Sequence, residues 1–79
     1  MRIRLGAGLS RFSRAPALTL ELEAGATVDD LFARLRDSEP QLAPALRSAL
    51  PMIEGAHAQR DQRLEDHQEV ALLLPVSGG

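Results

Sequence analysis

The group best suited to chemistry is a carboxylate at the end of the sequence, which closes on Gly78 and Gly79. Cysteine is absent, so no thiolate can serve as a nucleophile, a metal ligand or a carrier of sulfur. Glycine lacks a Cβ atom, so a Gly-Gly end can enter a narrow enzyme channel with little steric resistance. The sequence therefore predicts Gly79, preceded by Gly78, as the reactive residue; the alternative is an ordinary frayed terminus.

Other residue types that could do chemistry give weaker signals. His57 and His67 are the only histidines, and no carboxylate motif of metal-ligand spacing flanks them, so we predict no metal site. The acidic run of Glu65, Asp66 and Glu69 stands beside a predicted turn, where charge is more often solvated surface than an acid/base pair. We therefore predict no catalytic side chain.

Charge and composition restrict the possible partners. The formal net charge is -2, and Phe12 is the only aromatic residue near Arg11 and Arg14 that could stack a base, so nucleic acid is not expected as a partner. No apolar stretch is long enough to span a bilayer, so we expect no membrane partner. Absence of cysteine suits a reducing cytoplasm, the expected location. Lysine is absent too, so no side chain here can accept an isopeptide bond.

Two stretches with a period of two predict strands near the start. In Met1–Ala7 aliphatic residues alternate with Arg2 and Arg4, and in Leu18–Glu23 leucines alternate with polar residues. If the two strands pair as a hairpin, the arginines would face the polar side chains of the second strand, namely Thr19, Glu21 and Glu23.

A helix is predicted after Thr27, which forms a T-x-x-D cap pattern with Asp30. One helical face follows, made of Val28, Leu31, Phe32 and Leu35. Pro40 should stop the helix near Ser38. A further short helical stretch is expected over 42–50, ended by Pro51, and a weak strand is expected from Met52, turned at Gly55.

The continuous apolar run Val70–Leu74 predicts a central strand, which Pro75 would end. The element order indicates an α+β fold, with a mixed sheet and one main helix packed on one face. The other face would expose Ala71 and Leu73 beside Arg2, Arg4 and Gly6. Such an apolar patch rimmed by charge usually marks a partner surface; the alternative is that edge loops cover it.

Three segments resemble the MoaD/ThiS family of sulfur carriers: Met1–Leu5, Ala24–Leu31 and Glu69–Gly79, whose Pro-Val-Ser-Gly-Gly ending is most similar to the small subunit of molybdopterin synthase. The resemblance implies a ubiquitin-like β-grasp domain over residues 1–75 and a flexible Gly-Gly tail over residues 76–79. This sequence departs from the family pattern at Gly6, where many relatives carry an aromatic residue.

The resemblance also implies a mechanism. An E1-like adenylating enzyme would use ATP to activate the Gly79 carboxylate, and a sulfur donor would then convert it to a thiocarboxylate. This end would donate sulfur in cofactor biosynthesis to an acceptor enzyme such as the large subunit of molybdopterin synthase. The chain would bind no cofactor and would not be an enzyme on its own. Docking would use the open sheet face together with Pro75, Val76 and Ser77.

Three alternatives remain open at the level of sequence. The chain could carry sulfur for thiamine or cysteine synthesis. It could instead be a ubiquitin-like modifier whose Gly79 is joined to lysines of target proteins. It could also be a plain β-grasp interaction module with an incidental Gly-Gly, because fold alone does not define function.

Overall fold

The computed structural model describes residues 1–6, 9, 17–65 and 67–74, which form a mixed sheet and its helical cover. The strands in this part of the chain are β1 (Arg2–Leu5), β2 (Ala17–Thr19), β3 (Leu50–Ile53), β4 (Ala56–His57) and β5 (Glu69–Leu73). They lie in the order β2-β1-β5-β3-β4. β1 and β5 are parallel, and the other neighbours are antiparallel. The α+β class and the central place of the last strand are therefore confirmed.

The main helix, α1 (Val28–Ser38), begins where the sequence predicts. The Thr27 Oγ1 accepts a hydrogen bond from the Asp30 backbone N–H at 3.2 Å, and the Asp30 carboxylate accepts one from the Thr27 N–H at 2.9 Å. This reciprocal capping box satisfies two donors that the first turn would otherwise leave unpaired. The four predicted residues of its apolar face are all buried: Val28, Leu31, Phe32 and Leu35.

The core lies between this helix and one face of the sheet. Ile3 and Leu5 of β1 and Val70 and Leu72 of β5 point into it because their strands alternate between the two faces. Leu74 packs against the same cluster. Leu64 is also buried, and its N–H donates to the Ala26 carbonyl at 2.8 Å, which anchors the segment before β5.

The predicted helical stretch over 42–50 is only partly right. A 3-10 turn (Pro40–Leu42) leads into a short helix, α2 (Ala43–Leu46), but Leu50 begins β3. Pro51 therefore lies inside a strand instead of ending a helix. Its carbonyl accepts from the Ala58 N–H at 2.8 Å, so its backbone nitrogen faces away from β5. The missing N–H thus costs no bond in the β3–β5 ladder.

Glu54 and Gly55 form the tight turn between β3 and β4, with φ of 53° and 79°. Positive φ at both central positions is typical of the turns whose twist matches a hairpin. The predicted turn at Gly55 is confirmed.

The pairing partners of the first-strand arginines differ from the prediction. Arg2 lies opposite Thr19, as expected, but Arg4 lies opposite Ala17, because the partners in an antiparallel pair run in opposite directions along the chain. Glu21 and Glu23 follow the strand and are exposed, so they do not face the arginines across a strand pair.

Within the described residues, no helix is long and apolar enough to cross a membrane. That same part of the chain contains no group of three or more His, Cys, Asp or Glu side chains that could hold a metal ion.

Candidate docking face and reactive terminus

The face of the sheet opposite α1 brings together side chains from β1, β3 and β5. The register places Arg4 beside Ala71, Ala71 beside Met52, and Leu73 beside Leu50. Residues directly opposite each other in neighbouring strands point to the same face, so these side chains form one surface. We call its apolar centre the open-face patch, defined by Leu50, Met52, Ala71 and Leu73.

The open-face patch is accessible to solvent. Leu50 and Leu73 are 39% and 40% exposed and are the large hydrophobic side chains most open to water in the described part of the chain. Met52 and Ala71 are half-buried beside them. Leu73 is therefore exposed, as predicted, and Ala71 lies on the same open face but is half-buried. Exposed apolar groups gathered on one face favour association with another surface.

Leu50 and Met52 were missed by the sequence analysis. The sequence pattern predicts a helix at Leu50 and a weak strand at Met52, with no face specified for that strand. Leu50 and Met52 alternate with the buried Pro51 and Ile53, and this period of two could have indicated a strand. The proline within it suggested the end of a helix instead.

Glu69 of β5 organises the charged rim of this face. Its carboxylate contacts the Arg2 guanidinium at 3.4 Å and the Arg4 guanidinium at 3.6 Å, and all three side chains are largely exposed. Such surface ion pairs contribute little to folding. Positive charge therefore exceeds negative charge on the β1 side of the patch, whereas Glu54 lines the groove on the β3 side, so a partner with charges of both signs around its apolar contact would be complementary.

Gly6 determines where the Leu73 side chain can lie. The Gly6 N–H donates to the Leu72 carbonyl at 2.8 Å, which continues the parallel pairing just past β1. A Cβ atom at Gly6 would stand 2.8 Å from Leu73 Cδ2 and 3.1 Å from the Leu72 oxygen. Leu73 therefore occupies the space over Gly6, and any side chain at position 6 would displace its methyl group.

The predicted site residues on the sheet thus lie together. A groove of about 590 Å³ crosses the open face, and its lining includes Arg4, Gly6, Met52, Ala71 and Leu73. Pro75, Val76, Ser77, Gly78 and Gly79 lie outside the described residues, as does the predicted division into residues 1–75 and 76–79. Leu73 is the last residue of β5, so the patch borders the end of the strand that precedes them.

Both histidines lie at exposed positions on the surface. His57 is exposed on the edge strand β4. His67 Nε2 lies 3.6 Å from a Glu65 carboxylate oxygen, and both side chains are more than half exposed. This contact lies at the solvent-exposed turn before β5, where His67 also lines the border of the groove across the open face.

A family model described as the ThiS family matches residues 4–79. Among solved structures, SAMP1 from Haloferax volcanii has a TM-score of 0.84 at 24% identity, with 99% of this chain and 97% of that chain covered. A molybdopterin converting factor subunit 1 (putative in its own description) from Pyrococcus furiosus has a TM-score of 0.84 at 18% identity, with 95% of each chain covered. The complex of subunits 1 and 2 of the molybdopterin-converting factor from Helicobacter pylori gives 0.72 at 19% identity, covering 99% and 96%. These likenesses establish a ubiquitin-like β-grasp fold.

Proposed function

The chain belongs to the ThiS family, and on this premise we propose that it is a sulfur carrier whose Gly79 carboxylate becomes a thiocarboxylate. The observation that carries the proposal is the family match, which extends through the Gly-Gly residues to Gly79. We further propose that it serves as the small subunit of a molybdopterin synthase. Support for this finer assignment comes from the fold shared with molybdopterin-converting subunits, one of which is described in complex with a second subunit.

The proposed chemistry follows from the properties of a carboxylate. A carboxylate is a poor electrophile, because it is negatively charged and has no good leaving group. Attack of the Gly79 carboxylate on the α-phosphorus of ATP, on an E1-like enzyme, would release pyrophosphate and form an acyl adenylate. A donor of sulfur at the oxidation level of sulfide would then displace AMP, leaving sulfur in place of one oxygen. On the acceptor enzyme, the thiocarboxylate sulfur would bond to the acceptor substrate, and water would then hydrolyse the acyl–sulfur bond, leaving the sulfur on the acceptor and restoring the Gly79 carboxylate.

The carrier's own contribution is a reactive end and a surface that positions it. Docking through the open-face patch would hold the end of β5 against the partner, so that the residues after it reach the active site. Fixing a reactant in this way converts a bimolecular encounter into an effectively intramolecular one. No side chain of the carrier has to act as acid, base or metal ligand.

A second candidate function is protein modification. It is favoured by the fold shared with a structure described as small archaeal modifier protein 1 from Haloferax volcanii, with a TM-score of 0.82 at 21% identity. The activation step would be the same, but the amine of a lysine on a target protein would then attack the Gly79 carbonyl, forming an isopeptide bond and releasing AMP. The chain has no lysine, so it cannot accept such a bond itself.

The deciding experiment follows the intact mass of the protein. We expect incubation with ATP, the adenylating enzyme of the same organism and a sulfur donor to add the mass difference of sulfur for oxygen at Gly79. Omission of ATP is the control. Conjugates to lysines of other proteins, with no thiocarboxylate formed, would favour the modifier instead.

Substituting Gly6→Ala should weaken docking on the adenylating enzyme roughly three- to tenfold, because the new Cβ displaces Leu73 from the patch. The unfolding free energy should change by about 1 kcal/mol or less, since the closest displaced atom is the end of a flexible exposed side chain and the Leu72 oxygen, at 3.1 Å, has to move only slightly. Titration calorimetry and thermal unfolding measure the two effects.

A double-mutant cycle isolates the cause of the Gly6 effect. In the Leu73→Ala background the methyl group that the new Cβ meets is gone, so Gly6→Ala should have little further effect on binding. An equal loss in both backgrounds would contradict the role of Leu73 and would implicate the close Leu72 oxygen instead.

A further inference from the structure

A groove in the helical layer, on the covered side of the sheet, carries three arginines and has a volume of about 550 Å³. Arg36 comes from the last turn of α1, Arg47 directly follows α2, and Arg60 comes from the segment after β4. We propose that this arginine groove binds an acidic peptide segment of a partner protein. The site lies in a different layer from the open-face patch and does not depend on chemistry at Gly79.

Arg60 is held in place before any ligand arrives. Its Nη2 and Nε donate to the Asp29 carboxylate at 2.8 and 3.2 Å, and its guanidinium carbon lies 4.1 Å from the centroid of the Phe32 ring. The backbone is tied as well, because the Asp29 N–H donates to the Arg60 carbonyl at 2.8 Å. The side chain remains 52% exposed, so donors on Nη1 are available to an incoming carboxylate. A pre-positioned guanidinium loses little conformational entropy on binding.

The other two arginines lack a counter-charge within the described part of the chain. Arg36 and Arg47 are exposed, and neither is in any ion pair there. None of the described residues that line the groove is acidic. Asp29, which contacts Arg60, does not itself line the groove. Like charges gathered in one groove repel each other, and an anionic occupant removes that repulsion. This excess of positive charge is confined to the groove, because the whole chain has a net charge of -2.

The floor and the surroundings of the groove favour a peptide over a phosphate or a nucleic acid. Phe32 and Leu46 lie beneath the groove and are 2% and 4% exposed, while the exposed Pro44 and the half-buried Ala43 give its lining an accessible apolar part. Carboxylates flanking one apolar side chain would use both the arginines and this apolar part. A nucleic acid needs an extended basic surface. A second groove, on another side of α1, would repel its phosphates, because its lining includes Glu21, Glu23, Asp30 and Asp37.

The test is an NMR titration of the isotopically labelled protein with a blocked peptide of sequence EDLDE. We expect saturable shifts confined to the groove and weakened by added salt. Arg36→Gln and Arg47→Gln should each lower the affinity about two- to fivefold, as expected for one exposed charge contact. Arg34→Gln is the matched control for Arg36→Gln, because it removes the same charge from the same helix. Arg34 lines the second groove, which we call the acidic groove, so the affinity of this variant for the peptide should be unchanged.

Several results would overturn the proposal. These are the absence of saturable shifts, equal binding of the neutral peptide QNLNQ, and equal weakening by Arg34→Gln. Equally tight binding of inorganic phosphate or of a short oligothymidylate would point to a general anion site instead. Shifts in the groove that grow with protein concentration in the absence of peptide would indicate that the occupant is the acidic groove of a second copy.

Discussion

Deletion of Gly79 is expected to abolish ATP-dependent sulfur loading while leaving the thermal unfolding midpoint unchanged. The deletion removes the proposed reacting carboxylate from its position and leaves Gly78 to end one residue short of the partner's active site. A reacting atom displaced by one residue misses the geometry that makes attack fast, and loss of that geometry alone can cost several orders of magnitude in rate. Intact-mass spectrometry after incubation with ATP, the adenylating enzyme and a sulfur donor measures the outcome.

Two further variants distinguish the effect of the carboxylate's position from the effect of side-chain size at residue 79. Extension by one residue beyond Gly79 should also abolish loading, because the carboxylate is carried past its attack position. Gly79→Ala keeps the length and the carboxylate but adds a Cβ atom, so loading should be slowed and not lost. All three proteins should still bind the adenylating enzyme if the open-face patch docks the domain. Sulfur loading that persists in the Gly79 deletion would rule out the proposed terminus.

Phe32→Ala is expected to lower the free energy of unfolding by about 3–5 kcal/mol. Phe32 is 2% exposed, so its loss leaves a cavity between α1 and the sheet. It also removes the ring beneath the Arg60 guanidinium, a contact at 4.1 Å that is worth about 0.5–1 kcal/mol at an exposed site. Small domains are stable by roughly 5–15 kcal/mol, so a large share of the total would be lost. Urea unfolding followed by circular dichroism measures the change.

Leu73→Ala is the matched control for the core variant. It also truncates a large apolar side chain, but Leu73 is 40% exposed, so its effect on unfolding should be about 1 kcal/mol or less. The slope of the unfolding free energy with urea should stay the same in both variants if only stability has changed. An unchanged midpoint in Phe32→Ala would contradict the core assignment of this ring.

Local patterns in the sequence were enough to predict the helix and the central strand. The capping pair of Thr27 and Asp30 and the helical spacing of four apolar residues act within a few positions of each other, so neither depends on the rest of the fold. The uninterrupted apolar run before Pro75 likewise indicated a strand covered by neighbours, and β5 is central. The placement of Ala71 and Leu73 on the open face followed from the same reasoning, because one helix covers only one face of the sheet.

Whether the open face docks a partner, and whether Gly79 reacts, are still predictions. The sequence alone nevertheless limits the chemistry. Without cysteine no side chain can carry sulfur as a persulfide, and this absence is one reason for proposing the Gly79 carboxylate as the carrier group.

Only the tertiary structure decided which residues share a surface. Arg2 and Arg4 meet Glu69 and not Glu21 or Glu23, because β1 pairs in parallel with a strand from the far end of the chain. Leu50 lies beside Leu73 because β3 also pairs with this last strand, in antiparallel register. No short-range period encodes such pairings, since they are selected by burial of the whole sheet and by the entropy of the loops that connect it.

The fit of Leu73 over Gly6 and the gathering of three arginines in one groove are also products of packing. Each involves residues whose individual sequence signals are those of ordinary surface positions: a glycine after a strand, an exposed leucine, and isolated arginines on separate elements. Helical and strand periodicity report which side of an element is buried. They do not report which side chains from distant elements arrive at the same place, because that depends on how α1, α2 and the sheet pack against one another.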